Sequence, residues 1–198
     1  MTQAEKILEL LKGSAFLRSR DLKKHSLSRT ALMRLARKGK AVRTERGLYT
    51  RPGGPETEHI SLLEVAKKIP RGVICLLSAL SFHQIGTQDP YQVWIAIGRK
   101  SAKPKVRNTA VRIVRFSEPS LHYGIEEHNI LGITLKVTGP AKTVADCFKY
   151  RNKIGLDVAI EALREGLRDG RFTSDDLYRA ALVCRIWNIM RPYAEAMV

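Results

Sequence analysis

Residues 28–51 read SRTALMRLARKGKAVRTERGLYTR, and this stretch decides the fold. Ser28 has the chemistry of a helix N-cap and Gly39 that of a stop, so the spacing predicts a helix over 29–38. At about 100° per residue, Leu32, Leu35 and Ala36 fall on one face. Thr30, Met33, Arg34, Arg37 and Lys38 fall on the other. A helix that enters a major groove needs this arrangement, an apolar seat beneath a ridge of hydrogen-bonding cations. Residues 41–51 then supply two short β-prone runs around a tight turn containing Gly47, the pattern of a wing.

The residues before this stretch complete a three-helix order. Thr2 and Glu5 form a capping-box pattern, Ile7, Leu8, Leu10 and Leu11 have helical spacing, and Gly13 ends the first helix. Ser19 is the expected N-cap of a short helix over 20–24, with Leu22 turned inward and 25–27 as the turn. After the wing, Pro52-Gly53-Gly54-Pro55 breaks the chain. The expected organisation is therefore a winged helix-turn-helix DNA-binding domain over 1–54 and a second domain over 55–198.

Charge supports this placement. The chain carries a formal +16. Residues 1–54 hold 14 Lys and Arg against 4 Asp and Glu, and 55–198 hold 21 against 15. The excess is thus concentrated in the first quarter, where a polyanion would be met. The expected DNA-contacting residues are Ser28, Arg29, Thr30, Arg34, Arg37, Lys38, Lys40, Arg43 and Arg46. Arg can read guanine bidentately or hold phosphate, and a helix N-terminus suits phosphate. The bland alternative is a basic bundle with a solvated charged face, and a winged helix can also bind RNA or protein.

The remainder reads as α+β, a larger mixed sheet with helices. Helices are expected over 57–69, 79–85 (capped by Ser78), 141–150, 156–167 and 174–190, with Pro192 kinking or ending the last. Strands are expected over 73–77, 91–97, 111–116 and 133–137, with a weaker one over 125–130. The terminal helix is apolar around most of its girth, which suits either a core or a partner surface. Residues 98–107 form a second basic patch of Arg99, Lys100, Lys103, Lys105 and Arg107, extended by Arg112 and Arg115. It reads either as a phosphate-contacting or acidic-partner loop or as a solvated hairpin loop whose lysines guard a sheet edge.

Catalytic signatures are absent. There is no phosphate-binding GxxxxGK[ST] loop, no GxGxxG after a strand and no HExxH. His122 and His128 with Glu126 and Glu127 are too loosely spaced for a metal site. Cys75 or Ser78 with His83 is a weak nucleophile pairing, because Cys75 sits in an apolar strand. Thr138, Lys142, Thr143 and Asp146 cluster at a helix start and read as structural, with Lys142 and Asp146 spaced to pair. No catalytic residue, metal or cofactor is therefore expected, and no enzymatic activity. The three cysteines form no CxxC pair, no leader is visible and no apolar run would span a bilayer, so a cytoplasmic protein without membrane contact is expected.

Three segments together resemble the AbiEi-type antitoxins of type IV toxin–antitoxin (abortive infection) systems. These are Arg46-Gly47-Leu48-Tyr49-Thr50-Arg51-Pro52-Gly53, Gly72-Val73-Ile74-Cys75-Leu76-Leu77-Ser78-Ala79-Leu80-Ser81-Phe82-His83, and Ile133-Thr134-Leu135-Lys136-Val137-Thr138-Gly139-Pro140-Ala141-Lys142-Thr143-Val144-Ala145-Asp146. They are similar to that family's wing, its strand leading into an S-A-L helix, and its T-x-P-x-[RK]-T junction, with Lys142 where the family more often has Arg. The resemblance implies a repressor of its own promoter that binds inverted repeats in double-stranded DNA as a monomer or homodimer. It also implies a nucleotidyltransferase-like toxin whose effect this protein counters. The competing readings are a ligand-responsive winged-helix transcription factor and a nucleic-acid enzyme delivered by its winged helix.

Overall fold

The structure is a computed structural model, describes residues 1–197, and separates into two compact units. The first comprises 1–70 together with 105–109 and 128–135. Residues 55–70, which the Pro/Gly break assigns to the second domain, are thus part of the first unit.

The first unit is a winged helix. Helix α1 (Gln3–Lys12) starts at the expected capping box, Thr2 and Glu5 satisfying each other's backbone N–H groups. Strand β1 (Leu17–Arg18) leads to a 3₁₀ turn, Asp21–His25. Ser19 is not the cap of that turn. Arg20 occupies the cap position with no side-chain bond, and the Ser19 N–H instead donates to the Gly47 carbonyl at 2.9 Å. Helix α2 (Arg29–Arg37) is capped by Ser28, whose side chain accepts from the Thr30 N–H at 3.1 Å. The wing consists of β2 (Val42–Glu45) and β3 (Leu48–Thr50), and β1 pairs antiparallel with β3 to give the order β1-β3-β2. Ile7, Leu11, Leu22, Leu32, Leu35 and Tyr49 are among the side chains that fill the core beneath. Helix α3 (Ile60–Lys68) completes the run, and Lys68 reaches the wing turn, pairing with Glu45 at 3.1 Å and donating to the Arg46 carbonyl at 3.3 Å.

Two later segments finish this unit. The Asn108 amide donates to the Thr44 carbonyl, and the Thr109 hydroxyl donates to Glu64 at 2.6 Å. The Ala15 N–H donates to the Leu131 carbonyl at 2.9 Å. Leu131 and Gly132 form a two-residue turn with φ of 47° and 69°. A side chain on Gly132 would meet the Gly13 carbonyl oxygen at 2.1 Å, so glycine is required there. Leu131 is 46 % exposed and holds the left-handed conformation without compensation from its side chain. Leu131→Asn, which tolerates that conformation, is therefore expected to raise stability by about 0.5–1 kcal/mol, read as a higher urea midpoint; an unchanged or lower midpoint would refute the strain.

The second unit comprises 71–104, 110–127 and 136–197 of the described residues. Its elements are β4 (Val73–Ile74), α4 (Leu76–His83), β5 (Val93–Gly98), β6 (Val111–Phe116), α5 (Glu118–His122), β7 (Ile125–Ile130), β8 (Ile133–Thr138), α6 (Pro140–Lys149), α7 (Arg151–Ile154), α8 (Leu156–Arg168), α9 (Ser174–Cys184) and α10 (Trp187–Glu195), the tip of the β7–β8 pair counting with the first unit. The strand order is β6-β5-β4-β8-β7. Every residue of β5 is buried, as a central strand requires. Helix α6 packs against α4, α8 and α9 and carries Val144, Ala145, Cys147 and Phe148 into the core. Both units together form the expected α+β fold. No helix among the described residues is long and apolar enough to cross a membrane.

Several local expectations are corrected. The strand expected over 73–77 stops at Ile74, because Leu76 takes φ 51° and opens α4. Ser78 therefore lies inside that helix, and Cys75 is its cap residue. Residues 99–110 are not a hairpin loop: β5 and β6 pair in parallel, Val93 to Val111 through Gly98 to Phe116. Parallel neighbours need a crossover, and this one contains no helix. The helix expected over 174–190 breaks at Arg185, which adopts φ 55° as the C-cap of α9. Pro192 lies inside α10 rather than ending it.

Candidate nucleic-acid interface

Helix α2 is seated by Leu32 and Leu35, which are buried, with Ala31 and Ala36 packed beside them, and it turns its polar side chains outward. Arg29, Thr30, Met33, Arg34, Arg37 and Lys38 are exposed, and so are Lys40 and Arg43. Met33, at 50 % exposed, is a large apolar side chain in the middle of the ridge, suited to a thymine methyl. Among the described residues no carboxylate lies within salt-bridge reach of Arg29, Arg34, Arg37, Lys38 or Lys40. An uncompensated row of cations is what a phosphate backbone neutralises on binding. Ser28 differs from its neighbours: it is half-buried and its hydroxyl is committed to the cap.

The wing is short and held. Its turn, Arg46-Gly47, follows a bulge between Arg43 and Glu45, and Gly47 has φ 78°. Arg46 is exposed at the tip. The Ser19 N–H and the Lys68 ammonium both grip backbone carbonyls of this turn. Beside it, Arg18 makes a two-pronged pair with Asp21 at 2.9 Å from both Nε and Nη2. Burial opposes ionisation of Asp21, but the hydrogen bonds and charge of Arg18, with Lys67 and Lys24 adding theirs, hold its carboxyl below the ordinary value. Arg18, Arg20 and Lys68 have no place among the residues expected from the sequence. Their signal is nonlocal, since it depends on the pairing of β1 with β3 and on α3 belonging to this unit.

The second basic patch is divided. Lys105 and Arg107 belong to the first unit, and Arg99, Lys100, Lys103, Arg112 and Arg115 to the second. Arg115 has a structural duty: its Nη1 donates to the carbonyls of Gly98, Arg99 and Ser101 at 3.1, 2.6 and 2.9 Å, fastening the start of the crossover. Arg112 stands over the Trp94 ring at 5.6 Å. Arg99, Lys100 and Lys103 remain exposed.

The groups weighed for catalysis have other occupations. The Ser78 hydroxyl accepts from the Trp94 N–H at 2.9 Å and donates to the Gln92 carbonyl at 3.4 Å. His83 Nε2 lies 2.8 Å from the Thr138 carbonyl. Cys75, Cys147 and Cys184 are buried and free. Burial pushes the Cys75 and Cys147 thiols well up and Cys184 to about 12, away from thiolate reactivity. Lys142 and Asp146 form the expected pair at 2.5 Å, but wholly buried, with Lys142 Nζ over the Phe116 ring at 4.6 Å. Thr138 and Thr143 bond each other at 2.7 Å beside it. Among the described residues no group of three or more His, Cys, Asp or Glu is placed to hold a metal ion.

Comparison with known proteins agrees with this geometry. Residues 5–52 match the family model described as "Transcriptional regulator, AbiEi antitoxin", so the winged-helix segment is similar to the AbiEi-type regulator domain. No curated protein matches the chain. Among solved structures, the crystal structure of the RV2827C protein from Mycobacterium tuberculosis is similar, with a TM-score of 0.62 over 100% of this chain and 78% of that one. At 14% identity that likeness speaks for the fold alone.

Proposed function

We propose that this protein is a DNA-binding autorepressor and the antitoxin of a type IV toxin–antitoxin system, countering a nucleotidyltransferase-like toxin without catalysing a reaction. The observation that carries the reading is the exposed, uncompensated basic face of α2 in a segment that matches AbiEi regulators. In this reading α2 enters the major groove, with Arg34 and Arg37 reaching base edges or phosphates and Arg29 and Thr30 close to the backbone at its N-terminal end. Arg43 and Arg46 follow on the wing, at a flanking phosphate or minor groove. Of the groups weighed as catalytic, the Cys75 and Cys147 thiols are pushed up by burial and the Lys142–Asp146 pair is closed to solvent, so none of these is assigned a chemical step in this reading.

The test is a fluorescence-anisotropy titration of the full chain against its own upstream region and a scrambled duplex, over a salt series. The expected result is tight binding that prefers the upstream duplex by roughly 10³-fold or more, with a steep salt dependence. Weak binding lost equally from both duplexes as salt rises would refute the repressor reading.

A further inference from the structure

The wing turn, the end of β1, α3 and the crossover segment converge on one concave site of the first unit, a cavity of about 410 Å³. Five cations line it: Arg18, Arg20, Arg46, Lys68 and Lys105. No acidic residue is among its lining residues. Two of the cations are fixed by ion pairs formed behind them, Arg18 by Asp21 and Lys68 by Glu45, with side chains only 15% and 13% exposed. The other three, Arg20, Arg46 and Lys105, are exposed and have no carboxylate partner among the described residues. The fixed pair thus holds the walls of the site while three cations stay available. The Arg18 Nη1 is buried and has no hydrogen-bond partner. Buried donors of that kind are rare in native proteins and require an acceptor. The floor is kept open by Gly47, where a side-chain carbon would come within 3.3 Å of the Ser19 hydroxyl.

We infer that this cavity is a phosphate-binding site that seats a backbone phosphate of duplex DNA beside the wing. The inference rests on the DNA-binding reading and deepens it. A phosphate carries three acceptor oxygens, and a guanidinium fork with neighbouring ammonium groups matches them. The site lies at the wing turn and not on the α2 ridge, so it positions the duplex and reads no base. Arg20 and Lys105 thereby join Arg46 as backbone contacts, with Arg18 and Lys68 holding the walls behind them. Lys105 acts here as part of the wing's own surface, which gives one member of the second basic patch a definite duty.

The experiment uses the full chain and two labelled duplexes of about 20 base pairs, one from the upstream region and one scrambled, titrated by anisotropy from 50 to 300 mM KCl. The variant is Arg20→Ala with Lys105→Ala; both side chains are exposed, and the unfolding midpoint serves as the control for folding. The expected result is a loss of about fivefold for both duplexes alike at roughly 0.1 M salt, with the salt slope shallower by about one. A preserved ratio between the duplexes separates this contact from a base-reading one. If the wild-type protein binds the upstream duplex and the variant matches it in affinity and slope, the site seats no phosphate, while the DNA reading stands. If the wild-type protein binds neither duplex, both fall. A calorimetric titration with ATP and with inorganic phosphate closes the remaining arm. Saturable binding that the variant loses, with duplex binding unchanged, would assign the site to a soluble phosphoanion and overturn the inference.

Discussion

Replacing Arg34 and Arg37 together by alanine is expected to weaken binding to the upstream duplex by about 100-fold or more. Each arginine that reaches a base edge or phosphate contributes about 1–3 kcal/mol, so two lost contacts produce an effect of that size. Both side chains are exposed on a helix seated by Leu32 and Leu35, and alanine favours helix. The unfolding midpoint should therefore stay within about 2 °C of wild type. Titrating the variant against upstream and scrambled duplexes separates two roles. Base reading predicts that the preference for the upstream duplex collapses, and backbone holding predicts equal weakening of both. An unchanged affinity for the upstream duplex would remove α2 from the interface and leave the wing without a reader.

The second large effect lies in the other unit. Lys142 and Asp146 are 1% and 0% exposed, and Cys184 Sγ donates to the second carboxylate oxygen at 3.3 Å. Burial pushes the Asp146 carboxyl up, and the lysine charge and hydrogen bond work against that rise. Lys142→Met keeps the shape of the side chain and deletes the countercharge, leaving an unpaired carboxylate in the core. The expected cost is about 3–5 kcal/mol near pH 7, measured as the loss in urea unfolding free energy. The sign with pH follows from linkage. A carboxyl whose folded pKa is raised binds its proton more tightly in the folded state, so its stability deficit is largest above that pKa and shrinks as pH falls through it. The deficit of Lys142→Met should thus be smaller at pH 5 than at pH 7, and adding Asp146→Leu should restore most of it. A cost below about 1 kcal/mol, with no pH dependence, would show that water reaches the pair.

The winged helix was legible because its signals are local. Thr2 with Glu5, Ser28, Gly39 and Gly47 all act within a few residues of themselves, and the alternation of Leu32 and Leu35 with cations needs only one helical period. Nonlocal features escaped. The parallel pairing of β5 and β6 leaves no local mark, so residues 98–107 read equally well as a hairpin loop. Arg185 ends α9 in a left-handed conformation with neither glycine nor proline to announce it. The spacing of Lys142 and Asp146 told of their pairing, but not of their burial, because charged residues mostly stay at the surface. The cationic cavity at the wing turn draws on residues 18, 20, 46, 68 and 105, and no window of sequence contains them.

The composition of the first unit has a consequence for how the protein is made. Its first fifty residues leave the ribosome before the rest of the unit, which also includes 105–109 and 128–135. The partners of Thr44, Glu64 and Ala15 are Asn108, Thr109 and Leu131. At a translation rate of roughly 5–20 residues per second, the nascent winged helix waits several seconds for the segments that complete it. A chain that stalls or is cleaved before Asn108 therefore leaves Thr44, Glu64 and Ala15 without these partners, so the winged helix of a truncated product is expected to be less stable than that of the finished chain.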